Sequence, residues 1–326
     1  MKIIITGGAG FIGSHVAEKL CKNNKVIIID NLSTGRLKNI ENFKSKVFFK
    51  KADLSKNSSN WTKYFKGVDK VFHFAALADI VPSIQEPEEY FKSNVTGTLN
   101  VLEACKKYKI KKIVYAASSS CYGIAQEIPT TEKANINPQY PYALTKQIGE
   151  TLMLHWSKIY KINCTSLRLF NVYGPRSRTS GTYGAMFGVF FAQKIANKPF
   201  TIVGDGNQKR DFTFVSDIVD AFLKASNYKI SGEIFNVGSG KTVSINYIAK
   251  LLKGQKIYIS KRPGEPDVTF ADIKKIKKKL KWKPKISIEE GVKIILNKYI
   301  DYWKEAPVWT PKKIQKATLL WFKYLK

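Results

Sequence analysis

The apolar positions of the first half of the chain switch period repeatedly. Ile3-Ile4-Ile5, Val26-Ile27-Ile28-Ile29, Val47-Phe48-Phe49 and Val71-Phe72-His73-Phe74 are short continuous runs, as in strands buried on both faces. Between and after them the apolar residues recur at helical spacing. Residues 11–22 predict a helix, and a long one is predicted over about 86–107, with Val95, Leu99, Leu102 and Ala104 on its apolar face. Ile113-Val114-Tyr115-Ala116 predicts a fifth strand, 141–160 a helix, and Cys164 to Leu169 a further strand. Strands alternating with helices define an α/β class, with a doubly wound parallel sheet. Beyond about residue 172 the rhythm breaks. Gly/Pro/Arg/Ser-rich loops at 174–184 and 204–211 precede short elements and helical stretches at 287–304 and 311–325. No repeat or low-complexity linker divides the chain, which reads as one compact unit with a smaller C-terminal lobe.

Composition changes this picture little. The 326 residues are 44% hydrophobic and 13% aromatic, globular values that exclude wholesale disorder. No apolar run reaches the roughly 18–20 residues of a membrane span, and no signal peptide precedes the first strand. Cys21, Cys105, Cys121 and Cys164 are widely spaced, which fits reduced thiols and a cytoplasmic location. His15, His73 and His155 form no metal-ligand cluster, so no metal is expected. The formal charge of +30 is the outlier. Its lysines are dispersed, and the densest run, Lys274 to Lys285, is interrupted by Ile276, Leu280 and Trp282 at helical spacing. With no nucleic-acid motif beside them, no nucleic acid is expected as partner. The tail from Ala306 to Lys326 is expected to cover the C-terminal lobe.

Thr6-Gly7-Gly8-Ala9-Gly10-Phe11-Ile12-Gly13 follows a strand and opens a helix. Gly7 permits a tight turn, Gly10 a close approach of backbone to a pyrophosphate, and Gly13 close helix–strand packing. The helix N-terminus then offers unpaired N–H groups to phosphate. Asp30, 17 residues past Gly13 at the end of the second strand, suits the hydroxyls of an adenosine ribose and repels a 2′-phosphate. Together they point to NAD, although Arg36 could meet a phosphate.

Tyr142 and Lys146 stand at i and i+4, on one helical face. Bringing a tyrosine from a pKa of about 10 to 7 costs roughly 4 kcal/mol. A nearby ammonium and a positively charged nicotinamide are the stabilisers such a base needs. Ser118-Ser119-Ser120 lies at the carboxyl end of the fifth strand, where doubly wound sheets bind ligands. On its own a serine-rich strand end is no more than a loop.

These residues carry a resemblance. TGGAGFIGSH (6–15), DNLSTG (30–35), HFAALA (73–78), NVTGTLNVLEA (94–104), ASSSCYG (117–123), PYALTK (141–146), RLFNVYGP (168–175), GDGNQKRDFTFVSD (204–217) and RPGEPDVTFAD (262–272) are similar to motifs of the nucleotide-sugar epimerase/dehydratase group of extended short-chain dehydrogenases/reductases. The chain most resembles the UDP-hexose 4-epimerases, including those acting on N-acetylated sugars. The resemblance implies a Rossmann-type NAD domain over 1–172 with about 212–240, and a nucleotide-sugar lobe over about 173–211 and 241–326. It implies cofactor contacts from Phe11, Ile12, Asn31, Ser33, Thr34 and Gly35. Asp53 and Leu54 would flank the adenine, and Ala75, Ala76 and Ala78 the phosphates and ribose, with Asn94 supporting the site. Ser118, Tyr142 and Lys146 would be catalytic. Ser83, Ser119, Ser120 and Thr269 would lie near the sugar, Asn171, Arg210 and Arg262 would hold the nucleotide diphosphate, and Glu265 would meet the nucleotide ribose. Helices 86–107 and 141–160 resemble the pair that builds the family's homodimer.

Departures narrow the reading. Dehydratases resembling this family place Asp-Glu directly after the catalytic Ser/Thr, whereas this chain has Ser119-Ser120. The acid needed for elimination is missing, which favours reversible hydride transfer at C4 of a nucleotide-diphospho-sugar through a 4-keto sugar. Asp79 stands where many relatives carry a small or hydroxyl residue, and a carboxylate there would repel uronic acids. Thr269 falls at the family's gate for bulky C2 substituents. Three alternatives stay open at this point: a nucleotide-sugar 4-dehydrogenase, a 4,6-dehydratase-like lyase, and an inactive NAD-binding regulatory or nucleic-acid-binding protein.

Overall fold

In the computed structural model, residues 1–177 and 186–325 are described. The loop expected over 174–184 therefore lies outside them from residue 178, as does Lys326 at the end of the tail. Seven parallel strands form the main sheet: β1 (Lys2–Thr6), β2 (Lys25–Asp30), β3 (Val47–Lys51), β4 (Lys70–His73), β5 (Lys112–Ser118), β6 (Asn163–Leu169) and β7 (Glu233–Val237). Their spatial order is β7-β6-β5-β4-β1-β2-β3. The order reverses between β1 and β4, which opens a crevice at the carboxyl ends of the strands.

The apolar runs are continuous because both faces of the sheet are covered. In β1, Ile3 and Ile5 pack on one side with Val16, Ile28 and Phe222. Ile4 packs on the other with Ile29, Val101 and Tyr115. Each such fully buried isoleucine is worth about 1.5–3 kcal/mol. A third cluster, built from Phe187, Phe190, Phe191, Phe200, Ile248 and Trp303, forms the core of the C-terminal lobe. Three two-stranded pairs join its loops, Asn171–Tyr173 with Phe212–Phe214, Phe200–Val203 with Lys256–Ile259, and Lys209–Arg210 with Val243–Ser244.

The helix predicted over 86–107 is not one rod. It divides into Pro87–Phe91, a π-turn at Lys92–Thr96 and Gly97–Lys107, with a further short helix, Ile80–Gln85, ahead of it. Pro87 starts a helix without an N–H of its own. The π-turn widens the backbone at Asn94, a common device beside functional sites. Asn94 uses that bulge to accept from Leu77 N (2.8 Å) and to donate to Leu77 O (3.0 Å) and Thr145 Oγ1 (3.0 Å). The stretch expected over 287–304 is a helix only across Ile288–Lys298, followed by a tight turn at Ile300–Trp303. The last one, expected over 311–325, breaks between Pro311–Ala317 and Leu319–Tyr324. There Thr318 turns its hydroxyl back onto Ile314 O at 2.9 Å. In the lysine run, Ile276, Leu280 and Trp282 are buried while the lysines between them face out.

Behind the crevice a buried ion pair ties the sheet to helix Pro141–Tyr160. Arg168 of β6 holds Glu150 through Nε (3.1 Å to each oxygen) and Nη2 (2.6 Å), and Ser166 donates to the same carboxylate at 2.7 Å. Arg168 Nη1 reaches Tyr122 Oη at 2.8 Å, and Tyr122 donates to Asn236 Oδ1 of β7 at 2.7 Å. Removing one partner of such a pair strands the other charge. Arg168→Met is expected to lower the unfolding free energy by about 3–5 kcal/mol. The double variant with Glu150→Leu should recover most of that loss, which urea titration of all three proteins would measure.

Candidate active site

A cleft of about 590 Å³ runs along the carboxyl ends of the strands and into the C-terminal lobe. Its volume suits a cofactor-sized ligand. At the glycine loop the backbone of Gly7 turns with φ +68°, and a Cβ there would lie 2.6 Å from Ala75 N. A Cβ on Gly13 would lie 2.3 Å from Gly7 O, so helix Phe11–Leu20 could not approach β1 as it does. That helix starts with no side-chain cap, which leaves its first N–H groups directed at the cleft. Asp30 is buried at the lip. Its carboxylate accepts from Ala9 N (3.0 Å) and Leu32 N (2.8 Å), so it also fastens the glycine loop. Burial pushes its pKa up, and the two N–H groups oppose that.

Around this end the lining includes Gly7, Gly10, Phe11, Ile12 and Gly13, then Asn31, Ser33 and Thr34 beyond Asp30. Asp53 and Leu54 form one side, and Ala75, Ala76 and Ala78 the floor. Gly35 sits behind Asp30, where a Cβ would lie 2.8 Å from the carboxylate. Asn94 stands one layer back, holding the backbone at Leu77. Ser83 is not brought to the cleft: helix Ile80–Gln85 turns it inward, fully buried, with its hydroxyl donating to Ile80 O at 2.6 Å. The glycine cradle, the uncapped helix and Asp30 together fit a dinucleotide.

Ser118 is the last residue of β5, and its hydroxyl lies near enough to the Tyr142 phenol to favour its ionised form. Ser120 holds Ser118 from the other side, Oγ to Oγ at 2.7 Å, and its N–H donates to Ser118 Oγ at 3.2 Å. Lys146 lies one turn along from Tyr142, buried, with Nζ 4.2 Å from the centre of the Tyr115 ring. Burial drops its pKa to about 7, although Glu150 pulls the other way. Burial likewise raises the Tyr142 phenol, and the nearby Ser118 hydroxyl opposes that rise. Of the two stabilisers expected for a phenolate, the lysine is thus weakened by its own burial. The remainder must come from positive charge carried into the cleft. His73 underlies this centre as a neutral ring, its pKa lowered to about 3 by burial and by Lys146. It is held between Thr6 Oγ1 (2.6 Å) and Thr98 Oγ1 (2.9 Å).

At the far end Arg210 Nη2 meets Glu265 Oε1 at 3.1 Å, while Arg262 Nη1 stands 3.8 Å from Oε2. Glu265, expected on a ribose, thus lies between the two arginines. Thr269 Oγ1 donates to Asn171 Oδ1 at 3.1 Å, and both line the cleft with Ser119 and Ser120. Several lining residues escaped the sequence reading: Tyr140, Arg176, Phe187, Tyr302 and Trp321. Arg176, whose Nη2 is 2.7 Å from Glu18 Oε2, was adjacent to a recognised motif. Tyr140 likewise adjoins the PYALTK motif, whereas Phe187, Tyr302 and Trp321 had no local signal. Among the described residues, no group of three His, Cys, Asp or Glu side chains could hold a metal, and no helix is long and apolar enough to cross a membrane.

A dinucleotide cradle at the switch point of a parallel sheet, a Ser–Tyr–Lys centre and a two-arginine lobe define an NAD-dependent enzyme of the Rossmann type. Comparison with known proteins gives the family. The sequence model of the NAD dependent epimerase/dehydratase family matches residues 3–238, and the chain belongs to that family. It is 41% identical over 303 residues to a provisionally named UDP-glucose 4-epimerase of Methanocaldococcus jannaschii, covering 90% of this chain and 97% of that one. Among solved structures, the UDP-glucose 4-epimerase of Thermotoga maritima with UDP-glucose superposes with a TM-score of 0.86 at 33% identity, covering 94% of this chain and 99% of that one. A UDP-N-acetylglucosamine 4-epimerase from Methanobrevibacter ruminantium, in complex with UDP-N-acetylmuramic acid, gives 0.87 at 33%, covering 92% and 98%.

The depressed Lys146 pKa makes stability depend on pH. The folded chain gives up this proton near pH 7, whereas the unfolded lysine keeps it to about 10.5. Between those values the unfolded state binds more protons, so this group makes stability rise with pH, by up to about 1.4 kcal/mol per pH unit. In the cofactor-free protein, Lys146→Met should therefore gain less stability than the parent between pH 7 and 9. Urea titrations at both pH values measure the difference, and equal gains would contradict the buried, deprotonating lysine.

Proposed function

We propose that the protein is a UDP-sugar 4-epimerase that works with bound NAD. The observation that carries this reading is the meeting of Ser118, Tyr142 and Lys146 in the cleft at the end of β5, with Ser119-Ser120 following where an eliminating enzyme needs an acid. The activities named for the similar proteins support the substrate class. On this reading 1–172 and about 212–240 bind NAD, and about 173–211 and 241–326 bind the nucleotide sugar. The cofactor contacts are Gly7, Gly10, Phe11, Ile12, Gly13 and Asp30, with Asn31, Ser33, Thr34, Asp53 and Leu54 toward the adenosine. Bound NAD supplies the hydride acceptor, and afterwards the donor, at C4.

Tyr142 takes the proton of the C4 hydroxyl, and Ser118, beside it in the cleft, helps to pass that proton. Ser120 keeps the Ser118 hydroxyl aimed at the phenol. Lys146 holds the phenolate by charge when protonated. Arg210 and Arg262 grip the diphosphate as the 4-keto sugar turns, since their forked donors match phosphate oxygens. Turning presents the opposite face of C4 for the hydride's return, and Tyr142 gives its proton back to the C4 oxygen, so that centre is inverted. Exposed apolar side chains on the helices at 86–107 and 141–160, Phe91, Leu144 and Ile159 among them, support a homodimer. The buried thiols of all four cysteines suit a reducing, cytoplasmic setting.

The test is to incubate the NAD-loaded protein with UDP-glucose, UDP-galactose and their N-acetylated counterparts, and to separate the products. The expected result is interconversion of C4 epimers without build-up of reduced cofactor or keto-sugar. Tyr142→Phe should lower kcat by about a thousandfold or more while still binding NAD. A Tyr142→Phe enzyme of parental activity would overturn the assignment.

Asp79 lines the cleft at the start of helix Ile80–Gln85, and its backbone is fixed by Tyr90, whose hydroxyl donates to Asp79 O at 2.6 Å. A second carboxylate on the sugar would meet it as a like charge, so a neutral hexose is favoured over a hexuronate. Asp79→Asn should raise kcat/KM for UDP-glucuronate by about tenfold relative to UDP-glucose. An unchanged ratio would place the carboxylate away from the sugar.

A further inference from the structure

The end of the chain reaches the substrate cleft. Trp321, on helix Leu319–Tyr324, is buried and lines the cleft beside Arg262 and Tyr140. Its indole Nε1 donates to Pro263 O at 2.8 Å, and the Arg262 guanidinium stands 5.4 Å from its ring centre. On its other side the Tyr140 ring is 6.1 Å away, and Tyr140 is the residue that opens the helix bearing Tyr142. The loop from 262 to 266 needs such a contact. Gly264 within it has φ +70° and nothing within 4 Å of where a Cβ would stand. Beyond it the chain is fastened by Lys209 N donating to Asp267 O at 2.8 Å, but Arg262 lies on the near side of the glycine. The tail is itself anchored to the opposite wall of the cleft. Gln85 Nε2 donates to Ala317 O at 3.1 Å, and Val81 shares an apolar cluster with Trp321 and Ile314.

We infer that Trp321 is a positioning residue for the nucleotide diphosphate: it fixes the 262–266 loop and presents the Arg262 guanidinium to the substrate from the face of its ring. The inference rests on the reading of Arg262 as a diphosphate ligand. A guanidinium held over an indole ring loses less freedom when it binds an anion. The C-terminal helix is then part of the substrate site, while the NAD end of the cleft does not depend on it.

The experiment measures UDP affinity of the NAD-loaded full-length protein, with NAD affinity as the control for folding. Trp321→Leu, which keeps apolar bulk but removes the ring and the N–H, should weaken UDP binding about tenfold and leave NAD binding within about twofold. It should raise KM for the UDP-sugar far more than it lowers kcat. Trp321→Phe, which restores a ring beneath the guanidinium, should return UDP affinity to within about threefold of the parent. In a double-mutant cycle, adding Trp321→Leu to Arg262→Ala should cost no further UDP affinity. Additive losses, a Phe variant as weak as the Leu variant, or a Leu variant of parental affinity would each overturn the role of Trp321. An Arg262→Ala protein that binds UDP as the parent does would instead overturn the reading of the arginine on which the inference stands.

Discussion

Glu150 and Arg168 are both buried, and each would be intolerable there without the other. An isolated charge in the interior costs several kcal/mol, so the pair persists only because every donor and acceptor is used. The consequence is geometric. Glu150 belongs to the helix that carries Tyr142 and Lys146, Arg168 to β6, Tyr122 to the turn that follows Ser118, and Asn236 to β7. Four segments spread between residues 119 and 237 are therefore locked in one hydrogen-bonded frame. The Ser118 hydroxyl and the Tyr142 phenol approach each other from two of those segments. Their approach is as reproducible as the frame behind it.

The same burial has an electrostatic side. Lys146 and His73 sit in a region that disfavours any unpaired cation, and both lose basicity there. A centre prepared in this way holds little charge of its own. On the proposed reading it becomes competent for proton abstraction when charge enters with a ligand, because the low-dielectric surroundings then magnify that charge's effect on the phenol. Chemistry is thus tied to occupancy of the cleft.

Much of this was legible from spacing. The glycine loop, Asp30, Ser118 and the Tyr142/Lys146 pair all lie at strand ends or on one helical face, where local pattern dictates position, and all converge on the cleft. The sheet strands were readable because Ile and Val runs buried on both faces leave an uninterrupted apolar signature. What was not legible depends on contacts between distant segments. Ser83 was expected near the sugar, but a one-turn helix after Asp79 swings it onto Ile80 O. The π-turn at Asn94 follows from its bonds to Leu77 and Thr145, which no periodicity announces. Pro87 was a visible signal that the long helix would restart. Trp321 reads in sequence as one more apolar residue of a basic tail, and only the folded chain brings it beside Arg262.

Glu265 standing between Arg210 and Arg262 has a further meaning for a chain with 30 more basic than acidic formal charges. Such a surface draws polyanions of every kind. A bare pair of arginines in a cleft would collect them indiscriminately. Here an internal carboxylate already bonds Arg210 and stands 3.8 Å from Arg262, as a counter-ion tethered to the protein. An incoming anion has to outcompete it, and only one that gains further contacts along the cleft does so. On the proposed reading of these arginines, selectivity among phosphates is set by exchange rather than by attraction.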